Sequence, residues 1–346
     1  MRRILILLVL IPVLALPVCA ETFTAPQAPL DAQQLLPAES ENFGADLWKV
    51  ILTAIEKVEP EIAESASICV CVLAVLLLVS LLGQLPGQTQ WVLEFGATVG
   101  ICLLLLGTST SMIRIASDTV QELSDYGKLL LPVMTAAMSA QGGVTSGAAL
   151  YAGTVALDTV VGSLISHILI PAVYIFIALR IAHSASGDAG VGTLAEVVKW
   201  FGARSLKTML YLFTGFLGIT GVVSGTADAA ALKATKLSIS GMVPVVGGIL
   251  SDASEAVLLG AGVVMNGVGI YGLMVIAAIW ITPFLRIGIL YLMLKVTGGI
   301  CAGFSLKRVG ELVQGFCTAM GLLLAMIGTM SMLLLVSTVC FMKGVG

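Results

Sequence analysis

LLLPVMTAAMSAQGGVTSGAALYAGTVAL, residues 129–157, is a run of 29 residues without a charge. One helix needs about 20 apolar residues to cross a bilayer core, so length alone permits a crossing. The run is not written as one clean helix. Pro132 interrupts it early, and Ser139-Ala140-Gln141-Gly142-Gly143 breaks it in the middle. Proline removes a backbone donor and glycine weakens a helix interior, which leaves two arms too short to span comfortably. The stretch therefore reads as a re-entrant or broken hairpin. Irregular backbone at membrane depth is tolerated only where protein or a watery cavity surrounds it. MVPVVGGILSDASEAVLLGAGVVMNGVG, residues 242–269, has the same character, with breaks at Pro244, Gly247 and Gly248.

The composition around these runs is that of a membrane protein. Of 346 residues, 58% are apolar and 11% charged, and the mean hydropathy is +1.07. An average soluble domain is about 45–50% apolar and about 25% charged. A soluble enzyme, a coiled coil, a disordered tail and a nucleic-acid binder are excluded; the fold class is an all-α polytopic membrane protein. The net charge of −3 hides an asymmetry. Residues 21–64 hold nine acidic residues and two lysines, whereas the chain from Ser65 onward holds 13 basic and 11 acidic residues.

Residues 1–20 have the form of a secretory signal peptide. Arg2 and Arg3 precede an apolar core at Ile4–Leu16, and Val18-Cys19-Ala20 offers a cleavage site before Glu21. An uncleaved first anchor is the alternative; both place Glu21 outside the cytoplasm. Of seven cysteines, all but Cys19 of the leader lie in apolar runs. Buried free cysteine behaves as a small hydrophobe, so no disulfide framework is expected. Cys69-x-Cys71 lacks zinc spacing and the chain has only two histidines, so no metal or cofactor is expected.

Residues 21–64 form an acidic extracytoplasmic segment: a polar lead, then an amphipathic helix over 44–64 with Leu47, Ile51, Ile55 and Val58 on one face. The membrane domain spans 65–346. Its crossings include Ser65–Gly83, Phe95–Ile113, Thr159–Leu179, Thr208–Thr226 and 271–291, with Gln84–Gln88 as a turn and Arg114–Lys128 as a charged amphipathic stretch. A shift of about 112 residues maps Pro132 onto Pro244 and Pro171 onto Pro283. This gives a repeat of about 95–207 and 208–342, a device common in transporter folds. If both hairpins re-enter, about six crossings result and both termini lie outside. The basic loop 180–207 and the region of Lys295, Lys307 and Arg308 then share the cytoplasmic side, as positive-inside charge demands.

Five polar residues are candidates for an intramembrane solute pathway: Asp252, Glu255, Arg286, Asp158 and Asn266. Asp252 and Glu255 are three apart and share a helical face. Arg286 lies inside the crossing 271–291 and has two readings. It pairs with Asp252 or Glu255 beside a polar cavity, or it snorkels to the cytoplasmic interface. Asp158 stands at a hairpin–helix junction, as an N-cap or as an ion-pathway carboxylate. His167 lies mid-crossing and is expected to hydrogen-bond a neighbouring helix. H-E-x-x-H, Walker A and G-x-S-x-G signatures are missing, so the chain is not read as an enzyme.

The stretch ALKATKLSISGMVPVVGGILSDASEAVLLGAGVVMNGVGIYGL from Ala231 closely resembles the stage III sporulation protein AE family, and LLLPVMTAAMSAQGGVTSGAAL from Leu129 fits it too. The resemblance implies a permease-like membrane subunit of a multiprotein channel, or feeding tube, between mother cell and forespore. It places the chain in the mother-cell membrane around the forespore, with residues 21–64 in the intermembrane space. Implied partners are other membrane and secreted-domain subunits of that complex; a homo-oligomer is a further option. The alternatives are a stand-alone secondary transporter with its site between the two hairpins, and a purely structural scaffold.

Overall fold

The computed structural model describes residues 25–36, 43–82, 90–140, 144–242, 247–303 and 307–343; side chains are described over the same ranges except at 90–94, 144–146, 218–265 and several helix ends. The leader at 1–20, the turn at 84–88, Gly142, Gly143 and Pro244 lie outside the described residues. Among the described residues all regular structure is helical. The helices are α1 (Leu30–Gln33), α2 (Phe43–Leu82), α3 (Gln90–Ala140), α4 (Val144–Leu164), α5 (Ile170–Ser186), α6 (Ala189–Met242), α7 (Gly247–Gly303) and α8 (Lys307–Lys343). A single π-helical turn, Ile165–Leu169, joins α4 to α5.

Among the described residues, five stretches are long and apolar enough to cross a membrane: Phe43–Leu81, Phe95–Ala140, Gly147–Ser186, Asn266–Cys301 and Arg308–Met342. The expected crossing at 208–226 falls within α6, with side chains described as far as residue 217.

Two expected boundaries are absent. The amphipathic helix over 44–64 and the first crossing are one helix of 40 residues that runs through Pro60. Its buried stripe explains the continuity: Val50, Ala54, Val58, Ser65, Cys69, Val72, Leu76 and Val79 follow one another at helical spacing. Likewise α3 runs for 51 residues through Pro132. Its buried stripe passes Ile101, Leu105, Ser109, Ile113, Ala116, Val120, Leu123, Leu130 and Met134, straight through the charged stretch, whose Arg114, Asp118, Gln121, Glu122, Asp125 and Lys128 are exposed. Pro132 is exposed within this helix and does not break it. Burial along the rest of the helix outweighs the hydrogen bond that the proline removes.

Gly247 and Gly248 open α7.

The π-turn has a local cause. Pro171 lacks an N–H, and its ring presses on the carbonyl four residues back, at His167. One extra residue in the preceding turn relieves that contact. The His167 ring turns onto its own helix, with Nδ1 3.2 Å from the Ser163 carbonyl oxygen, rather than reaching a neighbour.

Long helices pair into a layered bundle. α7 packs on α8, both pack on α3, and α2 lies along α7. Close approach depends on missing side chains: a β-carbon at Gly127 of α3 would lie 2.7 Å from Leu334 Cδ2 of α8, and one at Gly153 of α4 would overlap the Phe216 ring of α6. α2 and α7 run in the same direction, because Glu61 meets Arg286 while Cys69 stands beside Thr297 and Cys301. Leu82 lies 13 residues past Cys69, about 20 Å at 1.5 Å per residue. α7 is described to Gly303, two residues past Cys301.

Candidate functional site

Among the described residues, polar groups in the bundle collect at three places. The first is a cavity of ≈ 350 Å³ between α1, α2, α3 and α7. Apolar walls come from Ala32, Leu35, Ile115, Ala278, Ile279 and Pro283, and polar ones from Asp31, Lys57, Asp118, Thr119, Glu122, Thr282 and Arg286. Arg286 Nη2 lies 2.6 Å from Glu61 Oε1 across the α2–α7 contact.

Helix geometry sets this pair. Glu61 follows Val58 by three and precedes Ser65 by four, so it sits on the buried stripe of α2. Arg286 follows Pro283 by three, on the same side of α7. Pro283 cannot donate to the carbonyl of Ile279, and both residues line the cavity. Glu61 Oε2, Arg286 Nε and Thr282 Oγ1 are buried atoms without a hydrogen-bond partner in the structure. A charged pair in a membrane domain is tolerable when each charge is matched and partly hydrated; the cavity supplies that space.

The second place is Asp158. It lies well inside α4, 14 residues past the first helical position, so it is not an N-cap. It is 2% exposed, in the seam of α3, α4 and α8. Ser124 Oγ donates to Asp158 Oδ2 at 3.1 Å, and Oδ1 has no partner. Gly127 leaves room beside Oδ1.

The third is the corner between α5 and α6. Gly187, at φ 73°, ends α5 in the left-handed region and donates to the His183 carbonyl at 2.8 Å. Asp188 then caps α6, accepting from Gly190 N at 2.7 Å. His183 Nδ1 donates to the Asp188 carbonyl at 2.7 Å, and its Nε2 faces Glu311 of α8 at 3.4 Å. Ser184 donates to the Arg308 carbonyl at 2.9 Å. Arg180 pairs with Glu196 and lies over the Phe176 ring at 5.3 Å. Burial pushes the Glu196 carboxyl up, but the hydrogen bond and charge of Lys199, with the charge of Arg180, outweigh it and hold the group below its ordinary value. The loop at 180–207 and the start of α8 at Arg308 therefore lie together at one end of the bundle.

The expected site is only partly assembled. Arg286 is beside a polar cavity and pairs with Glu61; Asp252 and Glu255 sit on α7 with side chains outside the described residues. Asn266 is exposed on α7. Asp158 belongs to a different seam from Arg286, and no hydrogen bond or ion pair among the described residues joins them. Glu61, Asp31 and Lys57 were not expected at the site. The sign that pointed to Glu61 was a charge on an otherwise apolar helical stripe. Among the described residues the cysteines are unbridged, and no group of three or more His, Cys, Asp or Glu is placed to hold a metal ion.

These features define an all-helical, multi-pass membrane protein with a polar cavity inside its helical bundle. The chain belongs to the stage III sporulation protein AE family, whose model matches residues 31–344. It is 24% identical over 200 residues to stage III sporulation protein AE of Bacillus subtilis (strain 168), covering 58% of this chain and 50% of that protein. The chain thus matches about half the length of that curated relative. No solved structure matches it. Family and helices together make this a sporulation-related membrane protein.

Proposed function

We propose that this chain is a permease-like membrane subunit of a channel complex linking mother cell and forespore, and that polar solutes contact it at the Glu61–Arg286 cavity. The reading rests on one observation above the others: Arg286, ion-paired to Glu61 and with an unpartnered buried Nε, lines ≈ 350 Å³ of space between helices long enough to cross a membrane. A scaffold has no need of an intramembrane charge pair, which costs several kcal/mol when unmatched. The cytoplasmic side is the end where 180–207 meets Arg308, in keeping with positive-inside charge. Residues 21–64 then begin outside the cytoplasm, where the other subunits would meet them.

Complementation in a sporulating host tests this. Glu61→Arg and Arg286→Glu, each alone, are expected to cut heat-resistant spore counts at least tenfold at unchanged protein level. The combined swap is expected to restore them. Wild-type counts from both single variants would overturn the role of the pair. Solute movement by the purified chain alone in liposomes would favour a stand-alone transporter instead.

A further inference from the structure

Asp158 is buried in a seam whose oxygens go largely unanswered. Among the described residues Ser124 Oγ is its one side-chain donor, at 3.1 Å from Oδ2, and Oδ1 has none. Thr154 and Ser337, 0 and 1% exposed, each carry a buried hydroxyl oxygen without a partner. The helix register brings these residues to one depth. Thr154 precedes Asp158 by one turn on the buried stripe of α4. Gly127 of α3 lies between Asp158 Oδ1 and Leu334 of α8, and Gly162, one turn past Asp158, faces Met330 of α8. α4 and α8 are therefore antiparallel, and the same register brings Thr154 level with Ser337.

The seam also lacks a counter-charge. Asp158 is the only charged residue of α4, and α8 carries no charge between Glu311 and Lys343. On α3 the charges that act on it are Asp125 and Lys128, both more than half exposed and bonded to each other at 2.8 Å. Lys207 of α6, the helix on the other side of α4, is exposed. An ionised carboxyl here holds a full charge with one hydrogen bond and no cation, which burial makes costly. The space beside Oδ1 is too small for a hydrated metal ion. A β-carbon at Gly127 would lie 3.7 Å from Oδ1 but only 2.7 Å from Leu334 Cδ2. A proton needs no such space. It cancels the charge and turns Oδ1 into a donor, with the hydroxyls of Thr154 and Ser337 as acceptors along the seam.

We propose that Asp158 is a proton-binding site, whose carboxyl carries its proton while α3, α4 and α8 are closed around it and gives it up to water when the seam parts. For a permease-like subunit this supplies a coupling ion, because pH then biases the closed state against the parted one. The site is separate from the Glu61–Arg286 cavity. Its test reads the carboxyl and not sporulation, so either reading survives the failure of the other.

Infrared spectra of the full-length chain in detergent micelles near neutral pH, parent minus Asp158→Asn, test the proton. The carbonyl stretch of a protonated carboxylic acid, moved to lower frequency in heavy water, is expected in the parent and not in the variant. Amide exchange over residues 144–164 tests the coupling. A proton held by the closed seam stabilises it at acid pH, and that contribution is lost once rising pH removes the proton. Protection in the parent, relative to Asp158→Asn at the same pH, is expected to be unchanged near about pH 6 and at least about tenfold lower near about pH 9. Should Asp158→Asn fail to fold, Ser124→Ala replaces it: losing the donor to Oδ2 is expected to shift the acid band, and an unmoved band counts against the site. A parent that shows only carboxylate bands, or that matches the variant in protection at both pH values, would overturn the proposal. So would a melting temperature raised by sodium chloride over choline chloride in the parent alone, which assigns the seam to a metal ion.

Discussion

Removing one member of the Glu61–Arg286 pair should be worse than removing both. Arg286→Met leaves the Glu61 carboxylate on the buried stripe of α2 with no counter-charge. Breaking a fully buried pair costs about 3–5 kcal/mol. Here the side chains are 27% and 29% exposed, and the adjoining cavity admits water, so the expected loss falls to about 2–3 kcal/mol. Glu61→Leu alone should cost a similar amount. With Glu61→Leu and Arg286→Met together, two apolar groups replace two matched charges, and the net change should be within about 1 kcal/mol of the parent. The coupling between the sites is then at least about 3 kcal/mol. Thermal unfolding of the detergent-solubilised chain measures it: each single variant should melt roughly 5 °C below the parent, and the double variant close to it. Additive losses, or single variants that melt with the parent, would refute the argument that the pair is desolvated and mutually dependent.

Three further outcomes follow from the geometry. Gly153→Ala drives a methyl group into the Phe216 ring and should destabilise the α4–α6 contact by about 1–3 kcal/mol, with most of the loss recovered in Gly153→Ala/Phe216→Ala by the same melting assay. Asp158→Asn keeps an acceptor for Ser124 and should be close to neutral, whereas Asp158→Ala strands that hydroxyl and opens a void, at about 1–3 kcal/mol. Glu196 has a lowered folded value. Its contribution is therefore fully present above the ordinary glutamate range, about 4.3, and is lost as pH falls through the folded value. Amide protection over 187–196 should drop with acid below about pH 4.3 and lose that dependence in Glu196→Gln.

The helical, membrane-embedded class was legible from composition because few charges and long apolar runs leave no soluble alternative. The boundaries were harder. Pro132 and the cluster Arg114–Lys128 each look like an end when read locally, yet both lie within α3, because the seam from Ile101 to Met134 never loses its spacing. The same holds for α2. Val50, Ala54 and Val58 continue into Cys69, Val72 and Leu76, a stripe that a division at residue 64 conceals. That division also concealed the partner of Arg286, since Glu61 seemed to belong outside the membrane domain. Arg286 itself was visible as a charge in an apolar run. Which acid answers it depends on α2 lying along α7, a non-local packing fact that neither periodicity nor spacing encodes. Of the two roles open to Asp158, the N-cap falls, because α4 begins 14 residues earlier than the junction assumed for it.

The pairing of α2 with α7 bears on how the protein is made. Glu61 leaves the ribosome 225 residues before Arg286, an interval on the order of 10–45 s at 5–20 residues per second. For that time the nascent α2 carries an unanswered acid on the face destined for burial, and its mate is still untranslated. α2 can therefore complete this contact only once Arg286, in the last third of the chain, has been synthesised. Final assembly is then a late docking of early helices onto late ones.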